Sequence, residues 1–400
     1  METHSRRTPS EEAVDRLLRA ARRHMGLEIA FISQFVGNER VFRFVDHDAP
    51  DSPVEVGGSG RREDSYCHYV AEGTLAQYLP DASADPVAST LEITSTLPVG
   101  THVSVPIRLS DGRVYGTFCC FSRRVKTEFT PDLKAMRVLA DVVAEVLSEL
   151  ERRADEKAQR RRSMEQIIQA DDALELHFQP LVDLKTMQLV GVEVLSRFPG
   201  HQLGPQEMFA QAHRVGVGVE LEMRVVRDAL ALLSQIPDPI RLNINVSPST
   251  LVAPNLFVAL ADGPRDRVVL EVTEHAVVAD YVELREASRR LTELGVWLAI
   301  DDVGMGFSGL NQVLEIQPDE LKLDRVVIRN VDSDVVRQAL VEGLSSFAAK
   351  VGVRLLAEGI ETSEELAAVR RLGAHIGQGY YLSRPAPLAV ALARRDFSIL

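Results

Sequence analysis

The sequence has little cysteine, no long apolar run and no excess of basic residues, and each absence excludes a class of protein. Cys67, Cys119 and Cys120 are too few and too irregularly spaced for a disulfide framework or a paired zinc site. No apolar run approaches the roughly 20 residues that span a bilayer, and residues 1–26 carry charges throughout. A net charge of −13 opposes a general role on DNA or an anionic membrane. We therefore expect a cytoplasmic protein with no DNA or membrane partner, whose phosphate ligands need local cations or metals.

The cysteines are interpreted as small core residues. Cys119 and Cys120 stand side by side in an extended apolar run, so their side chains should point to opposite faces of a sheet. Reduced, buried thiols are the expectation, and redox sensing is the alternative. Cys67 precedes His68, a pair that suggests a metal or chromophore but is too small to make a site.

The length of 400 residues predicts two domains, because a single core rarely extends beyond roughly 250 to 300 residues. In the first half, apolar positions at helical spacing predict a helix over residues 10–24. Residues 102–121 alternate around a turn at Asp111 and predict a β-hairpin. Thr130 as N-cap, with Pro131 at the first helical position, predicts the start of another helix.

Three motifs of the first half, YCHYV, LPDASADP and VPIRLSDGRVYGTFCC, resemble the GAF sensor family. The resemblance covers residues 8–150 and implies an α+β fold. GAF domains bind cyclic nucleotides, tetrapyrroles, small metabolites or nothing, so it implies an unknown small ligand or signal. Residues 151–169 are charged and free of glycine and proline, which predicts a helical linker. This linker is either part of a coiled coil between two chains or an unpaired, solvated helix.

Strands alternate with helices after Asp172, which predicts parallel strands with helical crossovers. About eight strands in some 230 residues fit a closed (β/α) barrel. The predicted strands are Leu174–Pro180, Leu189–Leu195, Leu242–Val246, Val268–Val272, Val296–Asp301, Glu320–Asp324, Leu355–Glu358 and His375–Gly379.

Polar residues interrupt these strands near their carboxyl ends, which converge at one opening of a barrel, where active sites are built. Clustered carboxylates repel one another unless cations neutralise them, and an all-oxygen set suits magnesium or manganese. The adjacent Asp301 and Asp302 can supply a bridging and a terminal ligand to two metals about 3.5 to 4 Å apart. The full set is Glu193, Asn245, Glu271, Asp301, Asp302, Lys322, Glu358 and Gln378.

The second half resembles the EAL-domain phosphodiesterases through a series of motifs. They are FQPLVDL, VEVLSRF, INVS, LEVTE, IDDVGMGFSGL, DELKLD, AEGIET and GQGYYLSRP. The resemblance implies an α/β chain in which a modified TIM (β/α)8 barrel over residues 170–400 follows the α+β GAF domain. It also implies hydrolysis of cyclic di-GMP to pGpG, with two Mg²⁺ or Mn²⁺ ions per active site, in a homodimer.

The resemblance also assigns roles to the matching residues. The metal ligands would be Glu193, Asn245, Glu271, Asp301, Asp302 and Glu358. The catalytic residues would be Glu193, Lys322, Glu358 and Gln378, with Lys322 orienting the attacking water. Arg197 would hold a substrate phosphate, Gln179 would lie near the guanine, and Glu274 would brace the metal loop.

Two segments depart from the family pattern. The signature reads Glu-Val-Leu at Glu193 instead of Glu-Ala-Leu, and the loop after Asp302 lacks hydroxyls at Met305 and Gly309 where the family commonly has threonine and serine. The loop change puts the level of activity in question. The main alternative is a degenerate EAL domain that binds cyclic di-GMP without cutting it and signals through a partner. An unrelated metal hydrolase would require the whole motif series to be accidental.

Overall fold

The structure is a computed structural model that describes residues 7–48, 51–126, 128–261, 263–273, 281–303 and 315–398, except for the side chains of Thr273, Asp302 and Val303. The chain divides into two compact units, Met1–Lys157 and Ala158–Leu400. The domain limits expected at residues 150 and 170 stay a prediction. Among the described residues, no helix combines the length and apolar character needed to cross a bilayer.

The N-terminal unit contains a six-stranded antiparallel sheet flanked by helices, as expected for an α+β fold. Its strands lie in the order β3-β2-β1-β6-β5-β4, and β5 and β6 form the predicted hairpin. The strands are β1 (Ile29–Val36), β2 (Glu39–His47), β3 (Ser59–Arg61), β4 (Tyr78–Leu79), β5 (Thr101–Arg108) and β6 (Val114–Ser122). The helices are α1 (Pro9–Met25), α2 (Tyr66–Glu72) and α3 (Ile93–Thr96), with 3-10 turns at Arg62–Asp64, Ala82–Ala84 and Ala88–Thr90.

The two faces of this sheet carry separate apolar cores. Cys120 packs with Leu18 of α1 in one core, whereas Cys119 packs with Cys67 of α2 in the other. The alternation of side chains along β6 produces this separation. All three thiols are free and buried, which confirms the expected placement of the cysteines.

A single long helix, α4 (Leu133–Gln169), follows the sheet. The predicted start at Thr130 and Pro131 was wrong. Asp132 caps the helix instead, because its carboxylate accepts a hydrogen bond of 2.9 Å from the amide of Ala135. The helix continues through the charged segment 151–169 without a break, and pairing of that segment with a second chain stays a prediction.

The C-terminal unit is built on a closed eight-stranded barrel, and all eight predicted strands are confirmed. The strands follow the order β10-β11-β12-β13-β14-β7-β8-β9 around the barrel. They are β7 (Glu175–Asp183), β8 (Leu189–Arg197), β9 (Arg241–Val246), β10 (Val268–Thr273), β11 (Trp297–Val303), β12 (Glu320–Leu323), β13 (Arg354–Ala357) and β14 (Ile376–Gly377).

One strand corrects the expectation of an all-parallel sheet. β7 runs antiparallel to both of its neighbours, β8 and β14. A tight turn joins β7 to β8, in which Asp183 accepts hydrogen bonds from the amides of Lys185 (3.1 Å) and Thr186 (2.7 Å). Parallel neighbours need a crossover of a dozen or more residues. The short turn between β7 and β8 therefore forces these two strands to pair antiparallel.

Helices and short turns connect the remaining strands. The helices are α5 (Pro205–Val215), α6 (Gly218–Leu232), α7 (Pro248–Leu251), α8 (Pro254–Ala259), α9 (Tyr281–Glu293), α10 (Arg325–Ile328), α11 (Val335–Val351), α12 (Ser363–Arg371) and α13 (Leu388–Ala391), with 3-10 turns at Leu233–Gln235 and Arg265–Arg267. Alternate strand residues such as Leu270 and Val272 join the main apolar core. The residues between them face the other way.

The close backbone approach at Gly379 generates a stability prediction. A Cβ at this position would lie 2.1 Å from the carbonyl oxygen of Ile360. This oxygen belongs to the backbone, so it cannot move aside as the end of a flexible side chain could. We expect Gly379→Ala to lower the free energy of unfolding by about 1 to 3 kcal/mol, measured by urea denaturation followed by circular dichroism. Gly343→Ala is the control, because Gly343 lies in α11 with open space around it and alanine favours a helix. Equal midpoints for the two variants would contradict the prediction.

Candidate active site

Polar side chains gather where the barrel strands end. Glu193 lies on β8, Asn245 on β9, Glu271 on β10, Asp301 on β11 and Lys322 on β12. Glu271 and Asn245 are paired in register across neighbouring strands. Since each of these strands is parallel to the next, their carboxyl ends meet at one opening, and the predicted residues come together there.

The ammonium group of Lys322 is surrounded by four carboxylates. Its Nζ lies 2.6 Å from Glu358 Oε1, 2.7 Å from Glu271 Oε2, 3.3 Å from Asp301 Oδ1 and 3.5 Å from Glu193 Oε1. The lysine side chain is 1% exposed and that of Glu271 is 0% exposed. We call these five residues the Lys322 cluster.

The charges of the cluster shift the pKa values of its members in different directions. Burial alone would lower the pKa of Lys322, but Asp301, Glu193, Glu271 and Glu358 together raise it well above its ordinary value. Burial raises the pKa of Glu271 well above the usual range and that of Glu358 to about 8. Burial acts the same way on Glu193, yet Lys322 and two amide hydrogen bonds outweigh it and lower the pKa of that carboxyl. Negative charge in the cluster is therefore in excess over its one cation.

A chain of side-chain amides fixes the carboxylate of Glu193. Gln378 Nε2 donates to Glu193 Oε2 at 2.5 Å, and Asn245 Nδ2 donates to Glu193 Oε1 at 2.7 Å. Gln378 Nε2 also lies 3.0 Å from Gln179 Oε1, and Gln179 Nε2 donates to the carbonyl of Ser383 at 3.0 Å. Both oxygens of the signature glutamate are thus held in place.

Asn243 is a site residue that the sequence analysis missed. It is 1% exposed, and its Nδ2 donates to Glu271 Oε1 at 2.8 Å. The signal was present, because Asn243 precedes Asn245 by two residues in the strand segment LNINV and therefore shares its face. Two amides in alternate positions of an otherwise apolar strand predict two polar contacts on one side.

Of the remaining predicted residues, Arg197 is described and does not contact Lys322. Arg197 lies at the end of β8 and donates through Nη1 to the carbonyl of Ser196 at 2.8 Å. Asp302 belongs to β11, but its side chain is outside the described part of the chain. Glu274 and the altered loop at residues 304–314 also lie outside the described residues.

A cavity of about 260 Å³ opens beside the cluster. Four of the predicted residues border it, together with Arg325 and Tyr380, for which the sequence predicted no role. Arg325 Nη2 pairs with Glu361 Oε1 at 2.7 Å, and Tyr380 is 50% exposed. The lining includes Gln179, Glu193, Glu358, Gln378, Arg325, Glu361 and Tyr380.

The donor chemistry of the site fits a hard divalent cation. Carboxylate and amide oxygens are the ligands that Mg²⁺ and Mn²⁺ prefer, and the excess negative charge calls for a cation. Gln378 Oε1 is buried and has no hydrogen-bond partner among the described residues. Within the same residues, no three His, Cys, Asp or Glu side chains are already arranged to hold a metal. We attribute this to Lys322, which contacts all four acids.

Comparison with known proteins places two domain families on the chain. Residues 160–385 match the EAL domain family and residues 9–147 match the GAF domain family. Over 235 residues, the chain is 32% identical to "Cyclic di-GMP phosphodiesterase PA2567" of Pseudomonas aeruginosa, a match that covers 56% of this chain and 40% of that protein. This chain matches only 28 to 57% of the length of three curated relatives, of which PA2567 is one.

Two solved structures extend the comparison. "PaMucR Phosphodiesterase, c-di-GMP complex" is 27% identical, with a TM-score of 0.50, and the match covers 55% of this chain and 94% of that one. "EAL Enzyme Bd1971", solved in a cAMP- and cyclic-di-GMP-bound form, is 20% identical with a TM-score of 0.54, and the match covers 91% of this chain and 92% of that one. At 20% identity, the second similarity shows the fold alone.

The buried position of Lys322 generates a second stability prediction. We expect Lys322→Met to lower the free energy of unfolding by about 3 kcal/mol or more in the presence of a chelator, because it leaves buried carboxylates without their cation. The measurement is chemical denaturation of the chelated protein. Arg289→Met is the matched control: Arg289 also contacts two glutamates, but its side chain is 56% exposed, so its removal should leave the midpoint nearly unchanged. A similar loss in both variants would rule out a special role for the buried ammonium.

Proposed function

The chain belongs to the EAL domain family, which matches more than half of its residues, and on that premise we propose that it hydrolyses cyclic di-GMP to the linear dinucleotide pGpG. The observation that carries the proposal is the Lys322 cluster, four acids and one ammonium collected at the carboxyl ends of barrel strands. Similarity to proteins that are named cyclic di-GMP phosphodiesterases supports the choice of substrate. A buried excess of carboxylates is costly for stability alone, which favours a functional reason for it.

We assign the metal ligands as the sequence analysis predicted them. One Mg²⁺ or Mn²⁺ ion would be held by Glu193, Asn245, Glu271 and Asp301, with Asp301 shared by a second ion. Asp302 and Glu358 would complete the second set. When bound, such ions would acidify the attacking water and stabilise the charge that develops on the phosphate.

The chain's own residues orient the reaction. Because the pKa of Lys322 is raised, its ammonium keeps its proton, so it can donate a hydrogen bond to the attacking water but cannot act as the base. We assign that water's proton to a carboxylate oxygen of one of the two cluster members that border the cavity, Glu193 and Glu358. Gln378 and Asn245 hold both oxygens of Glu193 in one orientation, which pre-organises the site.

Two residues are assigned to substrate binding. Gln179 borders the cavity, and we place the guanine next to its amide. Arg197 would pair with a phosphate, since a guanidinium binds two phosphate oxygens at once. Its described hydrogen bond goes to a neighbouring carbonyl, so the arginine has to turn toward the substrate on binding.

The alternative function is a receptor that binds cyclic di-GMP without cutting it. A degenerate domain of that kind lacks several metal ligands. Here every ligand assigned from the sequence is present in the chain, and four of those whose side chains are described contact one ammonium. The hydrolase is therefore the better supported proposal.

Regulation and assembly complete the proposal. We assign the N-terminal unit to sensing an unknown small ligand or signal that regulates the barrel, and we propose that the chain acts as a homodimer. The match to the GAF domain family supports the sensor role. The unbroken helix α4 supports transmission, because a rigid helix passes on a rotation that a flexible linker would absorb.

The catalytic proposal predicts metal-dependent formation of pGpG from cyclic di-GMP. Turnover should disappear in chelator and fall at least about a hundredfold in Glu193→Ala, measured by chromatography of the products. Calcium should inhibit, because its longer and looser coordination misplaces the water. Glu286→Ala, which removes an exposed glutamate of α9, should keep parental turnover. Tight binding of cyclic di-GMP without pGpG would favour the receptor, and full turnover by Glu193→Ala would overturn the assigned site.

The regulatory proposal predicts that turnover depends on the rotation of one end of helix α4 relative to the other. Insertion of two residues after Ala154 rotates the following part of the helix by about 200°, so we expect altered basal turnover or an altered response to a GAF ligand. An insertion of seven residues, about two full turns, is the matched control and should restore more of the parental behaviour. Identical kinetics for parent, both insertions and a chain without residues 1–150 would refute regulation by the N-terminal unit.

A further inference from the structure

A small cavity lies inside the N-terminal unit, between α2 and the sheet face that carries Cys119. It offers about 20 Å³, which is room for about one water molecule. Aromatic rings form much of its wall, and the polar side chains in its lining include Arg40, Cys67 and His102. The cavity is too small for a nucleotide or a tetrapyrrole.

The cavity is lined by Cys67, and a second sulfur atom lies next to that of Cys67. Cys67 Sγ lies 3.8 Å from Cys119 Sγ, although the two residues are 52 positions apart in the chain. Ser104 Oγ and Thr117 Oγ1 lie 3.0 and 3.1 Å from Cys119 Sγ. A disulfide bond is about 2.0 Å long, so the sulfurs need to approach by roughly 1.8 Å. An approach of that size requires side-chain rotation together with a shift of the short helix α2.

Arg40 places a buried positive charge beside the sulfurs. The residue is 6% exposed, and its guanidinium stacks 3.7 Å from the ring centre of Phe42. Its Nε and Nη1 are buried and have no hydrogen-bond partner among the described residues. A buried cation requires an anion nearby, and the charge of Arg40 interacts with the thiols of Cys67 and Cys119.

The surroundings of the two cysteines shift the pKa values of their thiols in opposite directions. The hydrogen bond from Cys119 outweighs burial and, with Arg40, lowers the pKa of Cys67 to about 6, whereas burial raises the pKa of Cys119 well above its usual value. Cys67 also lines the cavity, so we assign it as the attacking sulfur and Cys119 as the partner that keeps its proton. Burial lowers the pKa of His102 to about 3, so this ring stays neutral and leaves Arg40 as the cation of the cavity.

Cys120 provides an internal contrast. It follows Cys119 directly but points to the other face of the sheet, where it packs in the core beside α1. Burial raises the pKa of its thiol to about 12. A thiol in that environment is unreactive.

We propose that Cys67 and Cys119 form a redox-active pair that a small hydroperoxide, such as hydrogen peroxide, converts to a disulfide. The Cys67 sulfur attacks one peroxide oxygen, the O–O bond breaks, and the leaving hydroxide takes up a proton to become water. Cys119 sulfur then attacks the sulfenic acid of Cys67, and the hydroxyl leaves as a second water with the proton of the Cys119 thiol. Two thiols and one peroxide thus give one disulfide and two waters. This modification site is independent of the proposed hydrolase.

The test uses the full chain and mass spectrometry. Reduced protein is exposed to a few equivalents of hydrogen peroxide, unfolded, and labelled with N-ethylmaleimide. We expect the number of labelled thiols to fall from the three present to one, a peptide that links Cys67 to Cys119, and full recovery of labelling after dithiothreitol. Non-reducing electrophoresis should show the bond within one chain.

Three variants assign the roles. Cys120→Ser should still form the disulfide, whereas Cys119→Ser should stop at a sulfenic acid on Cys67 that dimedone traps. Arg40→Met keeps the apolar stem of the side chain but removes its charge, so oxidation at neutral pH should slow about tenfold or more. Circular dichroism of each variant verifies that it is folded.

Several results would overturn the proposal, and the first needs no variant. One is that all three thiols of the parent remain free after peroxide. Another is a bridge that involves Cys120, or a mixture of over-oxidised cysteines with no linked peptide. If dimedone labels Cys120 in place of Cys67 in the Cys119→Ser variant, the assignment of Cys67 as the nucleophile is wrong. If folded Arg40→Met is oxidised at the parental rate, Arg40 does not promote the reaction.

Discussion

The attraction between one buried ammonium and the acids around it governs the second half of the molecule. Lys322 contacts Glu193, Glu271, Asp301 and Glu358 at distances of 2.6 to 3.5 Å. Neither partner is stable in a low-dielectric interior without the other, so five strands or strand ends must close into a barrel in one register for the contacts to form. The apolar faces of the same strands supply most of the burial. The polar faces add specificity of register at a cost in stability.

The sequence predicted the strands well because the barrel repeats one simple pattern. Eight apolar runs of the right length, each near a polar residue, located all eight strands and most of the cluster. The features that failed depend on single contacts. The antiparallel orientation of β7 follows from a tight turn at Asp183, and the start of α4 follows from the carboxylate of Asp132. Hydrophobic periodicity contains no information about either contact.

Two buried cations illustrate why some site residues are readable from sequence and others are not. Lys322 lies in a strand among regularly spaced acids, so its surroundings follow from the fold class. Arg40 lies in β2 and acquires its neighbours Cys67 and Cys119 from α2 and β6, elements far away along the chain. These residues come together only in the folded N-terminal unit. A single arginine in a strand segment of the sequence does not predict that cysteines will lie next to it. The cysteines were accordingly expected to be core residues, and by burial they are.

The altered signature residue shows how the alternation of a strand separates packing from chemistry. Val194 stands where alanine is common in the family, yet it is 3% exposed and belongs to the main apolar core. In register it lies opposite Phe178 and Ile244, both apolar. Its neighbour Glu193 points to the opposite face and is held by Gln378 and Asn245. The two extra methyl groups therefore fill space in the core and do not reach the carboxylate. The orientation of Glu193 is left to residues on other strands.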